Sequence, residues 1–256
     1  MKEMMKKEEL LYNYSVRIAD NCLILSHRLS ELCAKGPVLE EDIALTNISL
    51  DLLGQSSAFY KYSAELENKG RTEDDIAFHR SERHFYNFQL SEYPNIDFAY
   101  VIVRQFFSDV YHYYLFDFLS QSKDQKMAAI SAKSLKEVTY HLRHSSHWLN
   151  ILGNGSEESQ LKIQKAVDSL WIYTGELFVP DDLDKKLLSM KIGVDLKELK
   201  TLWMNKINEV FQASKLSKPT SNYFMSGSKE GVHTECLGHI LSDMQYLQRS
   251  YPGAEW

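Results

Sequence analysis

The chain has 256 residues, 44% of them hydrophobic and 25% charged, the balance of a globular protein rather than a disordered or fibrous one. A net charge of -6 argues against a nucleic-acid partner, which would favour a basic face. No apolar run approaches the roughly 18 residues that span a bilayer, so no membrane segment is expected.

The opening Met1-Lys2-Glu3-Met4-Met5-Lys6-Lys7-Glu8-Glu9 is too charged for a secretory leader. Cys22, Cys33 and Cys236 are odd in number and lack Cys-x-x-Cys spacing. They read as thiols of a reducing cytoplasm, not as a disulfide framework or a zinc site.

All five prolines (Pro37, Pro94, Pro180, Pro219, Pro252) coincide with other turn signals, and the stretches between them carry helical periodicity. The first helix is predicted from Glu9 to Lys35, with Ile18, Cys22, Leu25, Leu29 and Leu32 on one face and Gly36-Pro37 as its stop. A second covers Glu40 to Lys69 and ends at Gly70, and a shorter one runs from Asp74 to Leu90. The third long helix, Asp97 to Ser120, carries aromatic residues in every direction, the pattern of a buried central helix. The fourth, Lys126 to Leu152, closes at Gly153-Asn154-Gly155. Leu135, Val138, Leu142, Ser145, Leu149 and Leu152 form its packing seam. Further helices are predicted at Glu157–Phe178, Leu183–Lys191, Asp195–Ser214 and Val232–Arg249. Four long helices with two short connections and one long one predict an all-α, ferritin-like four-helix bundle, with additional C-terminal helices. The expectation is a single domain over 1–256, with its core bundle over about 9–155 and accessory helices over about 157–250.

Asp51, Asp109 and Glu137 lie on three of the long helices, each on a mostly apolar stripe, and Asp20 lies among apolar residues of the first. A four-helix di-iron site takes a carboxylate from each of two helices and a Glu-x-x-His pair from each of the other two. Here the paired positions read Asp51-Leu52-Leu53-Gly54 and Glu137-Val138-Thr139-Tyr140, a ligand frame without its histidines. Three readings are open. The acids are ordinary polar residues at helix flanks, or they form a working di-iron centre with nitrogen from His112, His141 or His144. In the third, the frame persists and protein groups satisfy the carboxylates. His112 lies one turn from Asp109 and His141 one turn from Glu137, with Arg104, Lys133 and Lys136 as candidate cations. The third reading fits best, because Gly54 offers no ligand and Tyr140 a weak one. It predicts protein side chains and water, not metal, opposite Gly54, and a vestigial polar core of Asp20, Asp51, Asp109, His112, Glu137 and His141. No catalytic or metal-ligating residue is assigned.

His141-x-x-His144-x-x-His147 spreads around the helix at three-residue steps and does not converge on one ion. Ser226-Gly227-Ser228-Lys229-Glu230-Gly231, before the last helix, is either a connector or a phosphate contact through Lys229 and backbone N–H groups. No Gly-rich dinucleotide fingerprint is present.

Several separate blocks resemble one family. They are Asp20-Asn21-Cys22-Leu23-Ile24-Leu25-Ser26-His27-Arg28-Leu29, Leu45 through Gln55, Ala129 through Arg143 and Leu152-Gly153-Asn154-Gly155. Near the end, His233-Thr234-Glu235, Met244-Gln245-Tyr246-Leu247-Gln248-Arg249 and Pro252-Gly253…Trp256 join them. Together they resemble the structural C subunits of 1,2-phenylacetyl-CoA epoxidase, over nearly the whole chain after Tyr12. The segment from Val179 to Asn222 carries the least likeness. The resemblance implies a ferritin-like subunit that holds no cofactor and binds a related catalytic subunit carrying the di-iron centre. It implies a reductase with flavin and an iron–sulfur centre that draws on NADPH, and a hetero-oligomer that epoxidises the ring of phenylacetyl-CoA. A CoA thioester as substrate makes Lys229 a candidate contact for its phosphates. The alternatives are a di-iron oxidase with an altered ligand set and a free-standing ferritin-like homodimer.

Overall fold

The computed structural model describes residues 6–254. Most of the charged opening stretch and the terminal Trp256 quoted above lie outside the described residues. Those described form ten α-helices joined by loops and short 3-10 turns, with no strand among them. The helices are α1 (Lys7–Ser30), α2 (Leu39–Glu67), α3 (Glu73–Phe78), α4 (Gln89–Glu92), α5 (Phe98–Leu119), α6 (Gln125–Gly153), α7 (Glu157–Leu170), α8 (Asp182–Ser189), α9 (Leu196–Ala213) and α10 (Glu235–Ser250). None is long and apolar enough to cross a membrane.

Short polar side chains set most helix starts. Asp97, Asp124, Ser156 and Asp195 each accept a backbone N–H from the first turn of α5, α6, α7 and α9. Thr72 with Asp75 and Asp181 with Asp184 close reciprocal capping boxes on α3 and α8.

Three predicted helices change most. The one predicted over Glu157–Phe178 ends at Leu170 and is followed by 3-10 turns at Trp171–Tyr173 and Gly175–Phe178. α1 stops at Ser30 rather than Lys35, and Ala34, not Gly36, takes the left-handed conformation at φ 63°. Gly36 is required for close approach instead. A Cβ there would lie 2.8 Å from Asp42, whose Oδ1 accepts the Gly36 N–H. The helix predicted over 74–90 is broken into α3, a 3-10 turn at Glu82–His84, and α4. The physical reason is competition for the backbone. Asp20 and Asn21 of α1 take the N–H groups of Tyr86 and Phe88, and Arg80 takes the carbonyls of Ile76 and His84. Side-chain partners thus replace the helical ladder that periodicity alone anticipated.

The chain divides into two compact units. The first comprises residues up to Cys33, Ile43–Pro94 and Gly227 onward, so it holds α1, most of α2, and α3, α4 and α10. The second comprises Ala34–Asp42 and Asn95–Ser226, with α5 to α9. The last helix therefore groups with α1, not with the accessory helices that precede it in sequence.

In the second unit α6, α7 and α9 pack around α5. Every residue of α5 from Ala99 to His112 is buried, as its all-round aromatic pattern predicts. Phe107 sits 5.7 Å from Trp203 and 5.8 Å from Trp171, ring centre to ring centre, and Trp203 donates its indole N–H to the Phe107 carbonyl at 3.0 Å. The buried line of α6 runs Met127, Ser131, Ser134, Val138, Leu142, Ser145, Leu149 and Gly153. This is the predicted seam, with half-buried Leu135 and Leu152 at its margin.

Candidate functional site

Asp20, mid-way along α1, is fully buried. Oδ1 accepts from the Tyr60 hydroxyl and from Arg80 Nη2; Oδ2 accepts from Arg80 Nη1 at 3.0 Å and from the Tyr86 N–H at 2.8 Å. Arg80 is equally committed. Nε donates to the Ile76 carbonyl at 2.6 Å, Nη1 also donates to the His84 carbonyl at 2.7 Å, and Nη2 also donates to Tyr60 at 2.9 Å. All five guanidinium N–H groups and four carboxylate acceptor positions are used. Phe85 covers the guanidinium, its ring centre 4.1 Å from Cζ. Burial works against the Arg80 charge, yet Asp20 and then Tyr60 raise its pKa above the ordinary arginine value. Burial, followed by the Asp20 charge, holds the Tyr60 phenol well above its ordinary range.

Asp109, on α5 in the second unit, is also fully buried, but its two oxygens meet neutral groups. Gln105 Nε2 lies 2.6 Å from Oδ1, and Ser145 Oγ lies 2.8 Å from Oδ2. Burial pushes the carboxyl well above the carboxylate range, only partly countered by Ser145 and Gln105. Asp109 thus meets its burial with neutral donors and a raised pKa, where Asp20 is neutralised by a cation. The sequence pairs His112 with Asp109, but the structure gives Asp109 to Gln105 and Ser145. His112 stacks on Phe116 with ring centres 5.6 Å apart and planes 17° from parallel. Burial, then the neighbouring His141, depress its pKa to about 3, so the ring is neutral.

The other predicted residues lie elsewhere. Asp51 is half-buried and Gly54 exposed, while Leu52 and Gln55 face inward. Glu137 is half-buried on the outer side of α6, 3.9 Å from Lys133, while Val138 and His141 face inward. The inward positions are thus one residue later than the acids of the ligand frame, about 100° round each helix; on α6 this is the seam position already predicted for Val138. The space opposite Gly54, expected to hold side chains and water, has no side chain within 4 Å of where a Cβ would stand. Arg104, a candidate cation, is buried and donates to Asn95 Oδ1 at 2.7 Å.

The inward pairs at three-residue spacing are therefore Leu52 with Gln55 and Val138 with His141. Neither carries the carboxylate that bridges a metal pair, and the acceptor positions of Asp20 are filled by Arg80, Tyr60 and Tyr86. These donors do not fit a carboxylate-bridged di-iron centre. His144 pairs with Glu41 at 2.8 Å and His147 is exposed, so the three histidines of α6 do not converge. Among the described residues no three His, Cys, Asp or Glu side chains gather at metal-binding geometry.

Lys229 is half-buried in a closed turn between Gly227 (φ 115°) and Gly231 (φ 73°). The N–H groups of Glu230 and Val232 donate to the Gly227 carbonyl, and that of Gly231 to the Ser228 carbonyl. The stretch is a self-bonded turn, not the open phosphate cradle considered from sequence.

A cluster that sequence reasoning missed lies beside it. Glu92, fully buried on α4, accepts at Oε1 from His233 Nδ1 (2.6 Å) and Asn87 (3.0 Å), and at Oε2 from the Thr234 N–H (2.8 Å) and hydroxyl (2.6 Å). His233 Nε2 lies 2.8 Å from the Phe85 carbonyl. A carboxylate and a carbonyl only accept, so both ring nitrogens donate and His233 is an imidazolium. Burial pulls its pKa down, but the Glu92 hydrogen bond and charge outweigh that and raise it. Arg28 fixes the same run of contacts by donating twice to the Glu92 carbonyl, at 2.9 and 2.7 Å. No local pattern in the sequence joins Glu92 to His233, 141 residues on.

Comparison with known proteins agrees with this architecture. The chain is 47% identical, over 243 residues, to the C subunit of 1,2-phenylacetyl-CoA epoxidase from Escherichia coli, a match covering 95% of this chain and 98% of that relative. The family described as phenylacetic acid catabolic protein matches residues 1–256. With a ferritin-like fold that is all-α among its described residues, and this likeness along its length, the chain belongs to the phenylacetic acid catabolic protein family.

Proposed function

We propose that this chain is the non-catalytic structural subunit of a multicomponent epoxidase acting on phenylacetyl-CoA, housed in the cytoplasm. It binds and stiffens a di-iron catalytic subunit, and a reductase carrying flavin and an iron–sulfur centre delivers electrons from NADPH to that subunit. The observation that carries this reading is the closed Asp20–Arg80 pair. Where an oxygen-activating bundle needs a carboxylate with free lone pairs, this chain supplies one whose acceptor positions are filled by Arg80, Tyr60 and Tyr86. Leu52 and Val138 at the inward helix positions, and Asp109 with its oxygens held by Gln105 and Ser145, support it further. The role that remains is mechanical: a rigid helical body holding a neighbour's site in shape.

The test is iron content and turnover. Isolated protein from iron-rich medium is expected to hold well under one iron per chain and to leave phenylacetyl-CoA unchanged. Mixed with the catalytic chain and the reductase, it is expected to support ring epoxidation. Two irons per isolated chain with near-ultraviolet ligand-to-metal bands, or turnover by the chain alone, would overturn the reading.

A further inference from the structure

Between Ile43 and Ser57, five residues of α2 are exposed: Ile43, Asn47, Leu50, Leu53 and Gly54. None is charged. Ile43 is 52% exposed, Leu50 59% and Leu53 44%. Over four turns the outward face of a water-facing helix would ordinarily carry lysine or glutamate, and its side chains would not form an apolar row. Charge depletion with aliphatic residues along the middle is the composition of an interface core. The row is spaced for a helix: Ile43, Leu50 and Leu53, with half-buried Thr46 and Ser57 between and beyond them, alternate steps of three and four. Gly54 has open space above it, so a partner backbone can approach closely there.

We infer that this face of α2 receives an amphipathic helix of the catalytic partner, with an apolar seam flanked by lysine or arginine. The inference rests on the structural-subunit reading. The charge of the partner follows from what borders the row. Asp51 lies beside Leu50, α2 opens with the exposed Glu40, and the exposed residues from Ile43 to Ser57 include no cation. A second copy pairing the row with itself about Leu50 would set Asp51 against Asp51, like charge opposite like. A basic-flanked helix meets the same acids with opposite charge.

The test is co-expression with the catalytic chain, affinity capture, and native mass spectrometry of the complex. Wild-type chain is expected in fixed ratio with its partner. Leu50→Glu is expected to cut the captured partner at least tenfold, and Asp51→Lys to weaken capture and flatten its dependence on salt. Tyr246→Glu, at an exposed position on α10, should leave capture unchanged. Circular-dichroism melts check that each variant stays folded. Leu50→Glu and Asp51→Lys variants that co-purify as wild type does would overturn this face while leaving the subunit reading intact. A wild-type homodimer that Leu50→Glu dissociates would assign the row to a second copy and overturn it too. Failure of the wild-type chain to co-purify would remove the subunit reading, and this inference with it.

Discussion

Asp20 and Arg80, sixty residues apart, complete each other: the guanidinium meets both carboxylate oxygens, and Tyr60, Tyr86, Ile76 and His84 take up what remains. An ion pair this buried is held by saturation, not by Coulomb attraction alone, because every desolvated donor and acceptor finds a partner.

Removing one member strands the other. Arg80→Met is expected to cost about 3–5 kcal/mol, since it leaves the Asp20 carboxylate buried without its cation. The double variant Asp20→Asn with Arg80→Met should lose less than the sum of the single changes. Urea unfolding of all four proteins measures the coupling, and additive losses would contradict it.

Asp109 sets a pH dependence of definite sign. Its folded pKa lies above its unfolded value of about 3.9. The folded state therefore binds the extra proton, and its contribution to stability is full below that value and lost as pH rises through the folded pKa. Asp109→Asn mimics the protonated acid. It should match or exceed wild-type stability at neutral pH and remove this downward slope. His112 contributes the opposite slope between about 3 and the ordinary histidine value of about 6.5, present above and lost as pH falls. Taking the variant minus wild type at each pH from about 4 to about 8 isolates Asp109.

His233 is also raised, so its stabilisation is fully present below about 6.5 and lost as pH rises through its folded pKa. His233→Gln should flatten stability above neutral pH. NMR titration of the imidazole in wild type is expected to give a midpoint above the free-histidine value. A midpoint at or below it would show that Glu92 does not hold the charge.

Gly153 is required for closeness, not for a left-handed turn. A Cβ there would stand 2.1 Å from the Ser214 carbonyl oxygen. Gly153→Ala is expected to cost about 1–3 kcal/mol through forced displacement of packed backbone, read as a lower thermal midpoint.

Helix positions were legible because their signals are local: capping residues at Asp97, Asp124, Ser156 and Asp195 precede α5, α6, α7 and α9, and the α6 seam follows the three-and-four spacing. The inward register was legible on α6, whose seam includes Val138, but not on α2. On α2 and α6 an acid stands next to the residue that faces in (Asp51 beside Leu52, Glu137 beside Val138), and both neighbours lie within a wide, mostly apolar arc. Periodicity resolves such an arc to about one residue, which is about 100° on a helix.

The residues by themselves determined that the chain is of the all-α class, where its long helices run, and that some acids fall among apolar neighbours. Only the tertiary structure decided which acids are buried and what neutralises them. Arg80 reaches Asp20 from an irregular stretch, and His233 reaches Glu92 from the far end of the chain; a buried charge is met by whichever group the fold brings within hydrogen-bond distance, and spacing along the sequence does not record that.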